Sequence, residues 1–349
     1  YDVKQLSQVL PAEAKRYIAA NHVQVYTIDA EKLGAELGLG NKYNSILQAA
    51  FFKLANIIPI EDAEKYMKNA IVASYGHKGD DVIKKNFAAV DAGLQNLVKI
   101  EIPESWMNAV PAKHTASKAK RSNNEMLNEF VTKIQEPANA MTGDSIPVSA
   151  LEMIADGTLP QGSAAFEKRG ITSKAPSWIP DNCIQCNRCS FVCPHSVIRP
   201  FILDDKEFAA APEDIKARRM NGKGMEKYHF SIISSVMDCT GCGSCVNVCP
   251  AKDKALEMVP LSELPNQQKS FDYAVKHYSD KHVPYDKFTV KGSQFEQPLF
   301  EFSGACAGCG ETPYAKLITQ LFGERMIIAN ATGCSSIWGG SAPTTPYTV

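Results

Sequence analysis

Residues 183–194 read Cys-Ile-Gln-Cys-Asn-Arg-Cys-Ser-Phe-Val-Cys-Pro, and residues 239–250 repeat the same spacing, C-x-x-C-x-x-C-x-x-x-C-P. Three thiolates at steps of three lie in one tight loop that can bind three irons of a [4Fe–4S] cubane. The fourth cysteine lies beyond that loop and points to the other cluster. The repeat therefore predicts a ferredoxin-like α+β segment that carries two [4Fe–4S] clusters, each ligated by both motifs.

By this rule, each cluster takes three cysteines from one motif and the last cysteine of the other. The two expected ligand sets are Cys183, Cys186, Cys189 and Cys249, and Cys239, Cys242, Cys245 and Cys193. Structural zinc is the alternative, but a tetrahedral zinc site needs neither the third evenly spaced cysteine nor the trailing proline. Two adjacent clusters suit electron transfer. The charged insertion between the motifs, Arg199 to Tyr228, covers a cluster or shapes a docking surface.

Composition narrows the class of protein. The 349 residues include 37 basic and 38 acidic side chains, so net charge favours neither nucleic acid nor an anionic membrane as a partner. No apolar run approaches the roughly 18 residues of a membrane helix. Eleven cysteines, an odd number without a secretory signal, argue against a disulfide framework. We expect a soluble, cytoplasmic protein and, because Tyr1 is not an initiator methionine, a piece of a longer chain.

The chain before the cysteine motifs reads as an α/β unit followed by a linker. His22 to Asp29 alternates like a strand, and two helical stripes follow, which we interpret as core: Leu47, Ala50, Phe51 and Leu54, then Ile83, Phe87, Val90, Leu94 and Leu97. The basic, small-residue stretch Lys113 to Arg121 predicts a domain boundary. A lone amphipathic stretch, Met126 to Ile134, comes next. The charged run from Phe166 to Gly170 reads, from composition alone, as a solvated loop.

The last seventy residues carry three more cysteines. Cys306 and Cys309 form a C-x-x-C pair and Cys334 follows a glycine, which makes an incomplete cubane site; alone, the pair also suits a zinc knuckle or a redox pair. The short apolar run Met326 to Ala329 predicts a buried strand. The loop behind it suits a cofactor with phosphate groups, through Gly339, Gly340, Thr344 and Thr345.

Together these motifs resemble one family. The double ferredoxin motif, then Cys-Ala-Gly-Cys-Gly-Glu-Thr at residues 306–312 and Ala-Thr-Gly-Cys-Ser-Ser-Ile-Trp-Gly-Gly-Ser at residues 331–341, is similar to pyruvate:ferredoxin (flavodoxin) oxidoreductases, which are thiamine-dependent 2-oxoacid oxidoreductases. The resemblance covers nearly the whole chain. It also matches Phe166 to Gly170 to the Glu-Lys-Arg signature of that family's connecting domain, which overrides the reading of that run as a solvated loop.

The resemblance implies a multidomain α/β architecture. Residues 1–121 would be the C-terminal part of a gamma-subunit-like α/β domain and residues 122–172 a small connecting domain. Residues 173–280 would be the ferredoxin-like α+β domain with two [4Fe–4S] clusters. Residues 281–349 would be the start of a thiamine pyrophosphate-binding α/β domain. A fourth cysteine for the third cluster, the usual Mg²⁺-binding motif and the amino-terminal substrate domain are absent from this sequence.

The resemblance also implies an activity: oxidative decarboxylation of pyruvate to acetyl-CoA and CO2, with single electrons passing through three [4Fe–4S] clusters to ferredoxin or flavodoxin. Cys306, Cys309 and Cys334 would ligate the third cluster, Glu311 and Cys334 would contact thiamine pyrophosphate with its Mg²⁺, and Asn44 and Asn86 would touch coenzyme A. Glu311 could instead cap the helix behind it, and the two asparagines could be ordinary helix-start residues. No catalytic residue is assigned.

Two other functions stay open at this point. One is a non-catalytic electron-transfer module with two clusters, for which the third cysteine group would have no use. The other is the same chemistry on a different 2-oxoacid, because most of the pocket that would read the substrate side chain is missing from this sequence. The family further implies a homodimer and contacts with the rest of a longer chain of its own.

Overall fold

The computed structural model describes residues 2–40, 42–110, 124–279, 285–341 and 344–349. The chain divides into two compact units, Tyr1–Lys118 and Ala119–Val349. The predicted boundary at Lys113 to Arg121 lies outside the described residues. Within the described ranges, no helix combines the length and the hydropathy that crossing a bilayer requires.

The first unit is mostly helical. Asp2 and Asp29 cap its first and third helices by accepting backbone N–H groups. A two-stranded antiparallel sheet pairs Val25 with Ile100, so the predicted strand at 22–29 forms in its centre. The elements are α1 Val3–Val9, α2 Ala12–Ala20, β1 Val25–Thr27, α3 Ala30–Glu36, α4 Asn44–Ala55, α5 Ile60–Tyr75, α6 Asp80–Gln95 and β2 Val98–Ile100.

The α4 helix forms as predicted, but only Ala50 of its four predicted core residues is buried. Leu47, Phe51 and Leu54 are 45%, 54% and 45% exposed, and the other buried apolar side chains are Ile46 and Ala49 on the neighbouring face. A Cβ placed on Gly93 of α6 would stand only 2.2 Å from the Ile46 carbonyl oxygen. The close approach of α4 to α6 therefore selects the small-residue face of α4 and leaves the larger apolar stripe outside.

The second predicted stripe is confirmed as a packing face of α6. Val90 is fully buried, and Ile83, Phe87 and Leu94 pack against the cluster that it forms with Ala49, Met67 and Ile71. Leu97 lies beyond the end of the helix. The helical period thus located both helices, but it identified the inward face of only one.

The second unit opens with the predicted amphipathic helix, which runs as α7 Glu125–Phe130, a π-helical turn Val131–Gln135 and α8 Glu136–Asn139. Leu127, Phe130, Val131 and Ile134 are its buried face. The elements that follow are β3 Lys174–Trp178, α9 Arg188–Val192, β4 Ile198–Asp204, α10 Asp205–Ala210, β5 Arg218–Arg219, β6 Tyr228–Ser234, α11 Ser244–Asn247, β7 Leu256–Pro260, α12 Gln267–Tyr278, α13 Val290–Ser293, α14 Thr312–Phe322 and α15 Cys334–Ser336.

Two antiparallel sheets frame the cysteine motifs. β3 pairs with β7, so that Pro176 stands opposite Met258 and Trp178 opposite Leu256. The other sheet has the strand order β4-β6-β5, with α12 packed against β4 and β6. Each cysteine motif continues into a short helix, α9 or α11, and these two helices contact each other. The motif repeat is therefore also a structural repeat.

The charged insertion contributes to this framework. It supplies most of β4, all of β5 and a hydrogen-bonded link to the first cysteine motif. Gln185 donates to the Arg219 carbonyl at 2.8 Å and accepts from the Asn221 amide at 2.7 Å. The Arg218 guanidinium donates to the carbonyl of Cys183 at 2.8 Å and to that of Pro180 at 2.7 Å. These contacts brace the loop of the first motif, which is a role different from the two expected for the insertion, covering a cluster or shaping a docking surface.

The predicted strand at Met326 to Ala329 is wrong. These residues form no regular structure, and Ile327 is 96% exposed. A strand needs a neighbouring ladder to satisfy its backbone groups, and no segment among the described residues pairs with this one. The preceding α14 likewise exposes Tyr314, Leu317 and Leu321.

Candidate metal centres

A first cavity is lined by four cysteines that come from both motifs. They are Cys183, Cys186, Cys189 and Cys249. Most of its other lining residues are apolar, among them Phe230, Ile232 and Leu256, with Trp178 at one side; Asn187 is a polar exception. The four thiols are those expected to share one cluster, and the structure brings them together although Cys249 lies sixty residues or more along the chain from the others.

A second cavity is lined by the complementary set, Cys193, Cys239, Cys242 and Cys245. Pro176, Val197, Ile198 and Met258 supply its apolar walls. Two cavities that each hold four thiols fit two copies of one group.

The thiols surround space and do not converge on a point. A mononuclear zinc site draws four sulfurs to about 2.3 Å from one ion. Among the described residues, no three His, Cys, Asp or Glu side chains come close enough to hold a single metal ion. The donor set therefore fits a cubane, in which irons and sulfides occupy the middle, better than it fits zinc.

Backbone amides approach the cysteine sulfurs in a symmetric pattern. The amide of Gln185 donates to Cys183 Sγ and that of Gly241 to Cys239 Sγ, each at 3.4 Å. Both residues have positive φ, and a Cβ on Gly241 would stand 2.3 Å from Thr172 Oγ1. Amides aimed at sulfur stabilise negative charge there, and hydrogen bonds of this kind tune cluster potentials.

Burial controls the protonation of these thiols. It raises the pKa of Cys239 and of Cys245 to about 12, and it raises the pKa of Cys189 further. Burial also raises the pKa of Cys183, but there the Trp178 indole opposes the rise. Since metal ligands must be thiolates, iron binding here displaces protons and becomes weaker as pH falls.

His195 connects the second cavity to the Cys306 turn. It lines the cavity and is 1% exposed. Its Nε2 lies 3.1 Å from the Cys306 carbonyl and its Nδ1 lies 2.8 Å from the Ser303 hydroxyl. Burial lowers the pKa of His195, so the ring is neutral at pH 7, with one nitrogen donating and the other accepting.

Two half-buried lysines lie beside the same cavity. Lys316 of α14 donates to the carbonyl of Cys193 at 3.2 Å, and burial lowers its pKa to about 8. Lys168, in the Glu-Lys-Arg run, pairs with the buried Asp238 at 2.5 Å and lies over the Phe302 ring. Sequence reasoning missed His195, Lys316, Asp238 and Trp178, because a lone residue carries no spacing signal.

The third cysteine group is only partly assembled. Cys306 and Cys309 share one turn, in which the Cys309 amide donates to the Cys306 carbonyl at 3.1 Å. Burial raises the pKa of Cys309, but the backbone N–H groups of Thr312 and Glu311 lower it more, so the net shift is downward. Cys334 begins the separate α15, and within the described ranges the three thiols do not come together as a metal-binding group.

The remaining predicted site residues are spread over the chain. Glu311 occupies the N-cap position of α14, but its side chain caps nothing. Asn44 is the first residue of α4 and is exposed. Asn86 is not at a helix start, contrary to expectation: it lies mid-way along α6 and donates to the Val82 carbonyl at 2.8 Å.

The Gly/Thr loop does not present its hydroxyls to an open site. Thr344 and Thr345 are buried, and the Thr345 amide donates to the Ser163 hydroxyl at 2.9 Å. The Thr344 hydroxyl lies 3.4 Å from Glu167. These contacts tie the loop to the segment that precedes β3.

Family models match three parts of the chain. A model described as pyruvate ferredoxin/flavodoxin oxidoreductase matches residues 1–96, and one described as a 4Fe-4S dicluster domain matches residues 179–252. A model described as a domain of unknown function matches residues 116–172.

Whole-chain similarity agrees with these matches. The chain is 50% identical, over all its residues and 29% of the relative, to the pyruvate:ferredoxin oxidoreductase of Moorella thermoacetica. It is 49% identical, with the same coverage, to the pyruvate-flavodoxin oxidoreductase of Enterobacter agglomerans. It is also 45% identical, over 99% of its residues and 19% of the relative, to the pyruvate dehydrogenase [NADP(+)] of Cryptosporidium parvum. The chain thus spans less than a third of each relative, and over that span it is similar to pyruvate:ferredoxin/flavodoxin oxidoreductases.

Proposed function

We propose that this chain is the electron-relay segment of an enzyme that oxidatively decarboxylates pyruvate to acetyl-CoA and CO2. The observation that carries the proposal is the sorting of eight cysteines into two apolar cavities, four to each, in the cross-shared pattern of a two-cluster ferredoxin. The identity of about 50% to pyruvate oxidoreductases supports the substrate. When bound, thiamine pyrophosphate supplies the electron sink that decarboxylation of a 2-oxoacid requires.

The contacts support an order for the relay. The Cys306–Cys309 turn packs on the second cavity, since a Cβ at Gly308 would stand 3.4 Å from the Cys242 Cβ, and His195 bonds to the Cys306 carbonyl. Electrons would therefore pass from a third cluster on Cys306, Cys309 and Cys334 to the cluster of Cys193, Cys239, Cys242 and Cys245. The cluster of Cys183, Cys186, Cys189 and Cys249 would come last and serve the external acceptor.

The acceptor is proposed from the names of the relatives, which specify ferredoxin or flavodoxin in two of the three cases given above and NADP⁺ in the third. Within this proposal, Glu311 and the backbone at Cys334 contact thiamine pyrophosphate with its Mg²⁺. Asn44 and Asn86 contact coenzyme A, Asn86 only if its side chain leaves the Val82 carbonyl. The complete protein would be a cytoplasmic homodimer.

Iron, acid-labile sulfide and activity together test the proposal. The complete protein is purified without oxygen, and methyl viologen reduction is followed with pyruvate and coenzyme A. About twelve irons per chain with pyruvate-dependent reduction would support three clusters and the enzyme. About eight irons without that activity would leave a two-cluster electron-transfer module. If methyl viologen were reduced only with another 2-oxoacid, the proposed reaction type would stand and the proposed substrate would be replaced.

A further inference from the structure

β3 and β7 place a side-chain donor beside the first cysteine cavity and none beside the second. β3 and β7 contribute one cross-strand pair to each cavity: Trp178 and Leu256 to the first, Pro176 and Met258 to the second. Residues two apart on a strand face the same side of the sheet, so the two pairs occupy corresponding places. Among these four side chains, only the Trp178 indole carries an N–H group.

The indole N–H is buried without a partner. Trp178 is 6% exposed and packs edge-on against Phe230, with ring centroids 6.0 Å apart. Its Nε1 meets no acceptor at hydrogen-bonding geometry among the groups of the described chain, and the indole lines the first cavity together with Cys183, where it opposes the rise in the pKa of that thiol. A buried donor without an acceptor destabilises the fold, so its presence calls for an acceptor that the protein atoms alone do not supply.

The other unpartnered atom at this cavity does not compete for that role. Asn187 Oδ1 is an acceptor, and the amide nitrogen of the same side chain donates to the Lys291 carbonyl at 2.9 Å. Sulfur that carries negative charge offers an acceptor to an N–H group and nothing to a carbonyl oxygen. The indole is therefore the side chain at this wall that is suited to a cluster.

We propose that Trp178 Nε1–H donates a hydrogen bond to Cys183 Sγ when that cysteine ligates a cluster, and that this bond raises the reduction potential of this cluster. The inference rests on the ligand sets proposed above. A donor to sulfur stabilises the more negative, reduced state, so it moves the potential upward. The bond thereby makes the cluster farther from the Cys306 turn a better electron acceptor than it would be without the bond, which favours outward transfer.

The test is a potentiometric titration of the complete protein, with each cluster followed by its electron paramagnetic resonance signal. W178F keeps an aromatic ring and removes the N–H. We expect the reduction equilibrium of one cluster to become about tenfold less favourable, a fall of about 59 mV for a one-electron couple, with the other unchanged. C186S removes a ligand of the cluster on the Cys183 set, so the signal whose potential falls in W178F must be the one that C186S abolishes. W106F, a tryptophan change in the first unit, should move neither potential.

A second variant separates shape from hydrogen bonding. β-(3-Benzothienyl)alanine at position 178 keeps the bicyclic ring and lacks the N–H, so it should reproduce the fall even if W178F loses a cluster. Unchanged potentials in that variant, with both clusters present by iron content, would overturn the inference. Wild-type protein that holds no cluster on the Cys183 set would instead contradict the ligand assignment, and iron analysis detects that case first.

Discussion

His195 Nε2 lies 3.1 Å from the carbonyl oxygen of Cys306, so a buried, neutral imidazole holds the Cys306 turn against the second cysteine cavity. H195A removes that contact and the one to Ser303. We expect the turn to open more easily by about 1–3 kcal/mol, because polar groups are left unsatisfied. Limited proteolysis at residues 304–310 should then be at least several-fold faster. Equal rates in H195A and wild type would contradict this role, and H277A, an exposed histidine, is the control.

Arg199 and Glu301 form an ion pair in which both side chains are almost fully buried. E301Q leaves the Arg199 charge uncompensated between the rings of Phe271 and Phe302, and the expected loss of stability is about 3–5 kcal/mol. Urea denaturation measures it.

The matched control is E13Q, which breaks the exposed pair with Arg16 and should cost less than about 1 kcal/mol. Removing both buried charges in R199M/E301Q should restore much of the loss. A double variant as unstable as E301Q would mean that the hydrogen bonds of Arg199, not its charge balance, dominate.

Gly93 sets the distance between α4 and α6. In G93A the new methyl group would stand 2.8 Å from the Ala49 Cβ and closer still to the Ile46 carbonyl, so the helices must separate. We expect a loss of about 1–3 kcal/mol, although alanine is the better helix former. G76A is the control, because nothing lies within 4 Å of a Cβ there and its φ is −54°. Equal thermal midpoints for both variants would refute the close-packing argument.

Cross-ligation makes C193S and C249S opposite in effect. C193S should remove or convert the cluster of Cys239, Cys242 and Cys245, and C249S that of Cys183, Cys186 and Cys189, although each substitution lies in the other motif. Iron analysis and electron paramagnetic resonance distinguish the two outcomes. If C193S instead abolished the signal lost in C186S, the ligands would be local to each motif.

The cysteine pattern predicted the centre of the second unit because cysteines that ligate one cluster must lie close together in space, whatever their distance along the chain. Cys193 lines the cavity of the second motif and Cys249 the cavity of the first, as the repeat implied. Their role as cluster ligands stays a prediction until iron is bound. Trp178, His195 and Lys316 could not be found in the same way. Their roles come from contacts across many residues, such as the 111 positions between His195 and Cys306.

Periodicity was informative about helices but not always about their inward face. In α6 the stripe through Val90 is the packed one, whereas in α4 the larger stripe through Phe51 is exposed. The choice depends on Gly93, a residue of the neighbouring helix, which a pattern within α4 does not contain. The strand expected at Met326 to Ala329 failed for a related reason, since a strand depends on a partner.

The outward stripe of α4 has a practical consequence for handling the protein. Leu47, Phe51 and Leu54 form an apolar ridge, and α14 carries another through Tyr314, Leu317 and Leu321. Each such side chain is stabilised by about 1.5–3 kcal/mol when it leaves water. Residues 1–349 on their own are therefore expected to self-associate as concentration rises. Light scattering should increase with concentration and fall again in mild detergent. Charged substitutions on the two ridges should keep the protein monomeric.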